Sequence, residues 1–251
     1  MVKSKYLIAA LAVFSLAGSA MAATDLELLS ADNDPDNVES LQRGARNFMN
    51  YCSGCHSAEY VRYNTIARGL ELSEDQVINN LMFNAEKIHE TIQRSMPADG
   101  AARWFGKSPP DLSLIARSKS TDYVYSFLKG FYLEESSPTG VNNLYLAGTS
   151  MPHVLGGLEG FKSAVFVEGE PNADGVAPQV FESYEPVIAG SLSAEEYDAF
   201  ARDTANFLEY ISEPVRSTRR VLGVWVLMFL GFFLIIAIML KKQIWKDVPN
   251  N

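Results

Sequence analysis

Two cysteines and a histidine lie close together near residue 50, and together they could attach a prosthetic group. Residues 51–56 read YCSGCH, and the chain has no other cysteine. One helical turn can bring two such thiols to one edge of a porphyrin and place the next imidazole beneath its iron. The Cys-x-x-Cys-His pattern is typical of covalent haem attachment. We therefore predict haem c held by Cys52 and Cys55, with His56 as an iron ligand.

Other uses of a Cys-x-x-Cys pair fit this sequence less well. A thioredoxin-like redox site would need a βαβ context, which the sequence does not show. A zinc site would need further ligands, and the remaining histidines are His89 and His153. A disulfide between residues three apart would close too short a loop to stabilise a domain.

The second axial ligand of such an iron has several candidates. A methionine opposite the histidine raises the redox potential and suits electron transfer. The methionines considered are Met49, Met82, Met96 and Met151. The first two lie on predicted helices, where methionine more often fills a core. The other two precede prolines in predicted loops, and spacing alone favours Met151 slightly. His153 is a rival ligand and His89 a weaker one, although surface or loop hydrogen bonding is the ordinary role of both.

Caps and apolar periodicity predict the helices around these residues. Asp34 and Pro35 resemble the cap and first turn of a helix that leads to Cys52. A capping box at 73–76 begins another helix. A short helix is predicted over 122–129, where Gly130 follows.

The C-terminal part of the domain carries a longer helical pattern. Ser193 and Glu196 form a second capping box, and the apolar face continues to Ile211. Pro214 should end or kink this helix. The whole pattern predicts a mainly α, cytochrome c-like exported haem domain with long loops.

Two regions between the helices are predicted to lack long regular structure. Residues 95–113 are rich in proline and glycine. Further on, the sequence predicts one short strand over 164–167, paired with 180–181. The acidic segment 159–186 that contains this pair is interpreted as a loop, either solvated or used to dock a cytochrome c.

Both ends of the 251-residue chain carry apolar runs. Residues 1–22 have a basic start, an apolar stretch and a small-residue cleavage site, which predicts a cleavable signal peptide rather than an uncleaved anchor. The uncharged run 221–240 is long enough to cross the ~30 Å hydrocarbon core. We predict a haem domain over 23–215, one transmembrane helix over 216–241 and a cytoplasmic tail over 242–251.

Charge bears on orientation and on partners. Basic residues flank the apolar run equally, so the positive-inside rule does not orient it. The signal peptide instead predicts a single-pass protein of the bacterial inner membrane with its haem domain in the periplasm. Residues 23–215 hold 29 acidic and 13 basic residues, a formal net charge of −16. Such a surface disfavours nucleic acid and favours a basic protein partner.

Several stretches, in order over most of residues 36–246, together resemble the cytochrome c1 family. Besides the haem motif, they include 109–113 (PPDLS), 122–124 (DYV), 138–141 (PTGV) and 150–152 (SMP). All c-type cytochromes share the haem motif. The PPDLS segment, followed by a Met-Pro loop and a C-terminal anchor, is much more specific.

The resemblance implies a function and partners. The family is the haem subunit of the ubiquinol–cytochrome c oxidoreductase (cytochrome bc1) complex, an electron relay without a catalytic acid, base or nucleophile of its own. Its implied partners are cytochrome b, a Rieske iron–sulfur subunit, and cytochrome c as electron acceptor, in a dimeric complex. One alternative is a stand-alone membrane-tethered cytochrome c that feeds a terminal oxidase. Another, of a different class, is a haem sensor module.

The resemblance also implies roles for single residues. Met151 matches the family's methionine ligand, and Pro109 and Pro110 match residues packed along the haem, although a rigid turn would explain the prolines equally well. Tyr123 matches a tyrosine near a haem propionate.

Two basic residues match propionate contacts, with one departure. Arg117 matches the family directly, whereas Lys119 stands in for an arginine and keeps the charge without the planar fork. His153 stands where the family often has a further proline.

Overall fold

The structure is a computed structural model that describes residues 26–169, 171 and 177–246. The predicted signal peptide and residues 247–251 of the predicted tail lie outside them. Helices dominate the described part, which confirms the mainly α class. They are α1 (Val38–Tyr51), α2 (Tyr63–Gly69), α3 (Glu74–Asn80), α4 (Ala98–Phe105), α5 (Ile115–Lys119), α6 (Thr121–Lys129), α7 (Gly156–Glu159), α8 (Ala194–Ser212) and α9 (Arg216–Ile244).

Short antiparallel strand pairs lie between the helices. They are β1 (Ala58–Arg62) with β2 (Thr91–Ile92), β3 (Phe131–Leu133) with β4 (Val141–Asn143), and β5 (Gly160–Glu168) with β6 (Gln179–Ala189). The last pair contains the predicted one: Phe166 lies opposite Phe181, and Val167 opposite Val180. The interpretation of 159–186 as a loop was wrong for its described residues, because most of them form this hairpin.

The core forms where α1 packs against α8. Leu41, Ala45 and Phe48 follow one another at helical spacing and are almost fully buried. Phe207 of α8 is also fully buried, and its ring centroid lies 5.7 Å from that of Phe48. This packing holds the end of α1, and therefore Cys52, in a fixed place.

A buried carboxylate joins the same two helices. Asp203 of α8 accepts hydrogen bonds from Ser40 Oγ at 2.6 Å and from Arg43 Nη2 at 3.0 Å. Asn206, one turn further on, donates to Ser40 Oγ at 2.9 Å. Because a buried charge is costly unless it is paired, these partners favour a single arrangement of α1 on α8.

The start of α1 differs from the prediction. Asn37, rather than Asp34, is the N-cap, and its side chain accepts from the backbone N–H of Ser40 at 3.0 Å. Asp34 instead closes a turn ahead of the helix, accepting from the N–H of Asp36 at 3.0 Å. Asparagine and aspartate are both good caps, so the sequence left two possible starts three residues apart.

The prediction of irregular chain over 95–113 was wrong in part, because α4 forms there. Pro97 directly precedes its first turn, where a missing N–H costs nothing, and Gly106 ends it with φ of 76°. Proline and glycine mark the two ends of a helix here rather than its absence.

The predicted starts and ends of other helices are confirmed. The capping boxes at Ser73 and at Ser193 are both formed. Gly130 follows the last residue of α6. Helix α8 ends at Ser212, just before Pro214.

The C-terminal apolar helix is confirmed. Within the described ranges α9 is the one helix long and apolar enough to cross a membrane, with a mean hydropathy of 2.9 over its most apolar window. It runs from Arg216 to Ile244, and none of its residues is buried. Ser217 Oγ donates to Asp36 at 2.6 Å, so the first turn of α9 touches the haem domain.

Gly44 tests the contact between α1 and α8. A Cβ at this position would lie 2.1 Å from the carbonyl oxygen of Asp203. We expect Gly44→Ala to lower the free energy of unfolding by about 1–3 kcal/mol through overpacking, although alanine favours an isolated helix by about 1 kcal/mol. Thermal unfolding in detergent, followed by far-UV circular dichroism, measures the change. Arg46→Ala, at an exposed position of α1, is the control. Equal melting temperatures for the two variants would contradict the packing.

Candidate functional site

The Cys-x-x-Cys-His motif forms a tight turn at the end of α1. Cys52 is the C-cap, and its N–H donates to the carbonyl of Phe48 at 2.8 Å. The N–H groups of Cys55 and His56 both donate to the carbonyl of Cys52, at 3.0 and 2.8 Å. The turn therefore holds both sulfurs and the imidazole on a rigid helix end.

Both cysteines are free and partly buried. Burial, with a smaller contribution from Cys55, raises the pKa of Cys52 to about 12. Burial also raises the pKa of Cys55. The thiols are therefore neutral near pH 7, unlike the low-pKa thiolates of disulfide oxidoreductases. This weighs against the thioredoxin-like alternative.

The imidazole of His56 is oriented by a distant carbonyl. Its Nδ1 lies 2.7 Å from the carbonyl oxygen of Pro110. Because that oxygen can only accept, Nδ1 carries the proton and Nε2 keeps a free lone pair. Burial is the main cause that lowers the pKa of His56. A neutral imidazole held through one nitrogen is the form that binds a metal through the other.

Asp111 ties the PPDLS segment to the chain just beyond His56. Its carboxylate accepts from Ser57 Oγ at 2.8 Å, from the N–H of Glu59 at 2.8 Å and from the N–H of Ser113 at 2.9 Å. Partial burial acts to raise the pKa of Asp111, but these hydrogen bonds outweigh it and the pKa lies below its ordinary value. The carboxylate is thus charged and fully engaged near pH 7.

Two further hydrogen bonds hold the same segment. The N–H of Leu112 donates to the carbonyl of Ser57 at 2.8 Å, and Arg94 donates to the carbonyl of Pro109 at 3.0 Å. Pro109 and Pro110 are therefore fixed beside the haem motif.

The candidate methionines occupy different surroundings. Met49 is 2% exposed within the core, and Met82 packs against the core. The N–H of Met96 donates to the carbonyl of Gly54 inside the haem motif at 2.9 Å. Met151 lies partly buried in its loop, and its N–H donates to Thr149 Oγ1 at 3.3 Å.

His153 is not a surface histidine, so that interpretation was wrong for it. Its side chain is 4% exposed and stacks on the Phe131 ring at 4.8 Å. Phe131 contacts Phe127 edge to face at 5.2 Å, and Phe127 stacks with Tyr123 at 6.3 Å. An aromatic row thus joins the Met-Pro loop to the predicted propionate residues. His89 is exposed, as expected.

The predicted propionate residues lie around α5 and α6. Lys119 Nζ is 5.8 Å from the centroid of the Tyr123 ring. Burial raises the pKa of Tyr123, so its phenol is a donor at neutral pH. Arg117 lies 3.7 Å from the carboxylate of Glu213, in the linker before α9. The structure therefore brings Lys119 and Tyr123 together and gives Arg117 an acidic neighbour.

Sequence reasoning assigned no role to Asp111 or Phe131. The spacing of Asp111 and Ser113 was a usable signal, because aspartate often accepts from the N–H two residues on. Phe131 carried no such signal, since its contact with His153 depends on tertiary packing.

A groove between two helices lies apart from the residues predicted to bind haem. It has a volume of about 670 Å³ and lies between α1 and α8, with Arg46 and Phe200 in its wall. Residues predicted to bind haem take no part in its lining. Over the described part of the chain, no group of three or more His, Cys, Asp or Glu side chains could hold a metal ion, which gives the zinc alternative no further ligands.

Comparison with known proteins identifies the family. Residues 34–248 match the model of the Cytochrome C1 family. Cytochrome c1 of Allochromatium vinosum is 46% identical over 88% of this chain and 89% of its own length. The mitochondrial cytochrome c1 haem protein of Saccharomyces cerevisiae is 26% identical over 84% of this chain and 68% of its own.

One protein that is similar to this chain has a name other than cytochrome c1. The ammonia monooxygenase gamma subunit of Nitrosomonas europaea is 37% identical over 89% of this chain and 90% of its own length. The family match covers most of the chain, and cytochrome c1 proteins carry a covalently bound haem c that works in electron transport. This chain therefore belongs to the cytochrome c1 family, with haem c as its cofactor.

Proposed function

We propose that this chain is the haem subunit of a ubiquinol–cytochrome c oxidoreductase (cytochrome bc1) complex. It takes single electrons from a Rieske iron–sulfur protein and passes them to a cytochrome c. The observation that carries this proposal is the contact between His56 Nδ1 and the Pro110 carbonyl, which leaves Nε2 with a free lone pair in the same turn as two neutral thiols. The family match supports the same function.

Each residue of the haem motif has one task. Haem c supplies one-electron chemistry at its iron when bound. Cys52 and Cys55 would hold it through their sulfur atoms, and His56 would bind the iron through Nε2. The hydrogen bond from Nδ1 to Pro110 keeps the imidazole in one tautomer and one orientation.

In this proposal Met151 would supply the second protein ligand of the iron. Met49 and Met82 are committed to the core. The N–H of Met96 donates to the carbonyl of Gly54, so Met96 is tied to the same turn that carries His56. Met151 lies in a separate loop and matches the family's methionine.

Three side chains are proposed near the haem propionates. Tyr123 offers a phenol donor, and Lys119 beside it offers a positive charge. Arg117 is more than half exposed and can contact a propionate while it stays near Glu213. Pro109 and Pro110 complete the proposed haem contacts. None of these residues acts as an acid, base or nucleophile; they position the cofactor and tune its potential.

The proposed setting is the bacterial inner membrane, with residues 23–215 in the periplasm and 242–251 in the cytoplasm. The apolar helix α9 supports anchoring. The acidic charge of the exported part supports docking of a basic electron acceptor. Cytochrome b, a Rieske protein and a second copy of the complex complete the assembly.

Purification of the tagged chain in mild detergent tests this assembly. We expect a haem b subunit and a Rieske protein to co-purify, with ubiquinol–cytochrome c reductase activity. A lone monohaem protein would instead support the tethered-cytochrome alternative. Ammonia monooxygenase subunits in the eluate would favour the function named for the Nitrosomonas relative, and either result would overturn the proposal.

Covalent attachment through sulfur has a direct test. The double variant Cys52→Ala/Cys55→Ala should show no haem staining of its band on a denaturing gel, because no thioether can form. Gly54→Ala is the control, since a Cβ there would meet no atom within 4 Å. Staining should persist in the control. Haem staining of the double variant would contradict attachment through Cys52 and Cys55.

The axial ligand is tested by Met151→Leu, with Met96→Leu as the matched control. Loss of the thioether should lower the midpoint potential, abolish the near-infrared band of methionine-ligated ferric haem, and let carbon monoxide bind the reduced protein. Met96→Leu should change none of these. If the two variants exchanged behaviours, Met96 would be the ligand.

A further inference from the structure

The loop that carries Met151 is held by His153, two residues further on. The His153 imidazole lies nearly parallel to the Phe131 ring, with centroids 4.8 Å apart and an angle of 12°. The ring of Phe161 meets it edge to face at 5.7 Å and 87°. His153 is thus packed between β3 and β5, and aromatic pairs of this kind stabilise by more than the area they bury.

The space for this packing depends on a glycine. A Cβ on Gly156 would lie 2.5 Å from the Phe161 ring, so a larger residue would displace that ring from His153. The N–H of Gly156 also donates to the carbonyl of His153 at 3.0 Å. Backbone and side chain of His153 are therefore both held.

The polar edge of the imidazole meets a buried carboxylate. His153 Nε2 lies 3.0 Å from Glu159 Oε2, although the angle does not suit a hydrogen bond. Glu159 forms an ion pair with Lys162, and Lys162 Nζ donates to the carbonyl of Lys129 at 2.8 Å. Lys162 thus compensates the negative charge of Glu159, and the cluster connects α7 and β5 to the end of α6.

The link from His153 to Met151 is short and stiff. Pro152 is the single residue between them, and its ring restricts its own φ and the conformation of Met151. When the His153 ring is fixed, the backbone of Met151 therefore keeps little conformational freedom. With its ring packed on Phe131 and its Nε2 facing Glu159, His153 is not placed to serve as the rival iron ligand.

We infer that His153 is a positioning residue, whose ring stacked on Phe131 clamps the Met151 loop so that the thioether stays on the iron. This inference rests on the proposed function for its effect on ligation. The clamp itself is a property of the loop and can be measured separately.

The holoprotein, purified in detergent, provides the test. His153→Ala should lower the midpoint potential, weaken the near-infrared methionine band, and allow partial carbon monoxide binding by the reduced haem. His153→Phe keeps a ring on Phe131 and should retain all three properties of the parent protein. His89→Ala, at the exposed histidine, is the matched control and should change nothing.

Hydrogen exchange of residues 149–155 measures the clamp without reference to the ligand. In His153→Ala we expect exchange about tenfold faster, the change that a loss of about 1.4 kcal/mol in local stability produces. Unchanged exchange and an unchanged methionine band in His153→Ala would overturn the inference, as would equal losses in the alanine and phenylalanine variants. If exchange accelerates but Met151→Leu leaves the band intact, the clamp stands and the ligand assignment fails.

Discussion

The contact between His56 and the Pro110 carbonyl is the constraint on which the rest of the site depends. It joins residues 54 positions apart and sets the tautomer of the imidazole, so a free lone pair is left at Nε2. Asp111 supports this contact by tying the PPDLS segment to Ser57 and Glu59. A charged carboxylate with three donors thus keeps the turn of the Cys-x-x-Cys-His motif and its support together.

The two sides of the proposed haem site are supported by different parts of the fold. The histidine side rests on α1, which is packed on α8 through Gly44 and the buried Asp203. The methionine side rests on the aromatic row that runs from Tyr123 to His153. Rigid support of both sides would limit reorganisation around a bound haem iron, which favours one-electron transfer.

Errors in the sequence-based prediction have physical causes that can be named. Pro97 and Gly106 were taken as breakers, whereas at the ends of α4 they are compatible with a helix. Asn37 and Asp34 are equally good caps, so only packing chose between them. The hairpin was underestimated because few of its residues alternate clearly, and its acidic residues suggested a solvated loop. His153 looked like a surface residue because its contacts with Phe131 and Phe161 depend on tertiary packing.

The sequence by itself determined the features whose physics is local. Three such features are the Cys-x-x-Cys-His turn, the two capping boxes and the long apolar run. Each depends on residues within a few turns of one another, so it could be predicted without the fold. Only the tertiary structure decided which carbonyl orients His56, that Met96 lies beside the haem motif, and that His153 is buried against Phe131. These contacts join segments distant in sequence, and their formation depends on the packing of the whole domain rather than on any local pattern. The haem motif thus predicted the chemistry, and the fold supplied the geometry that supports it.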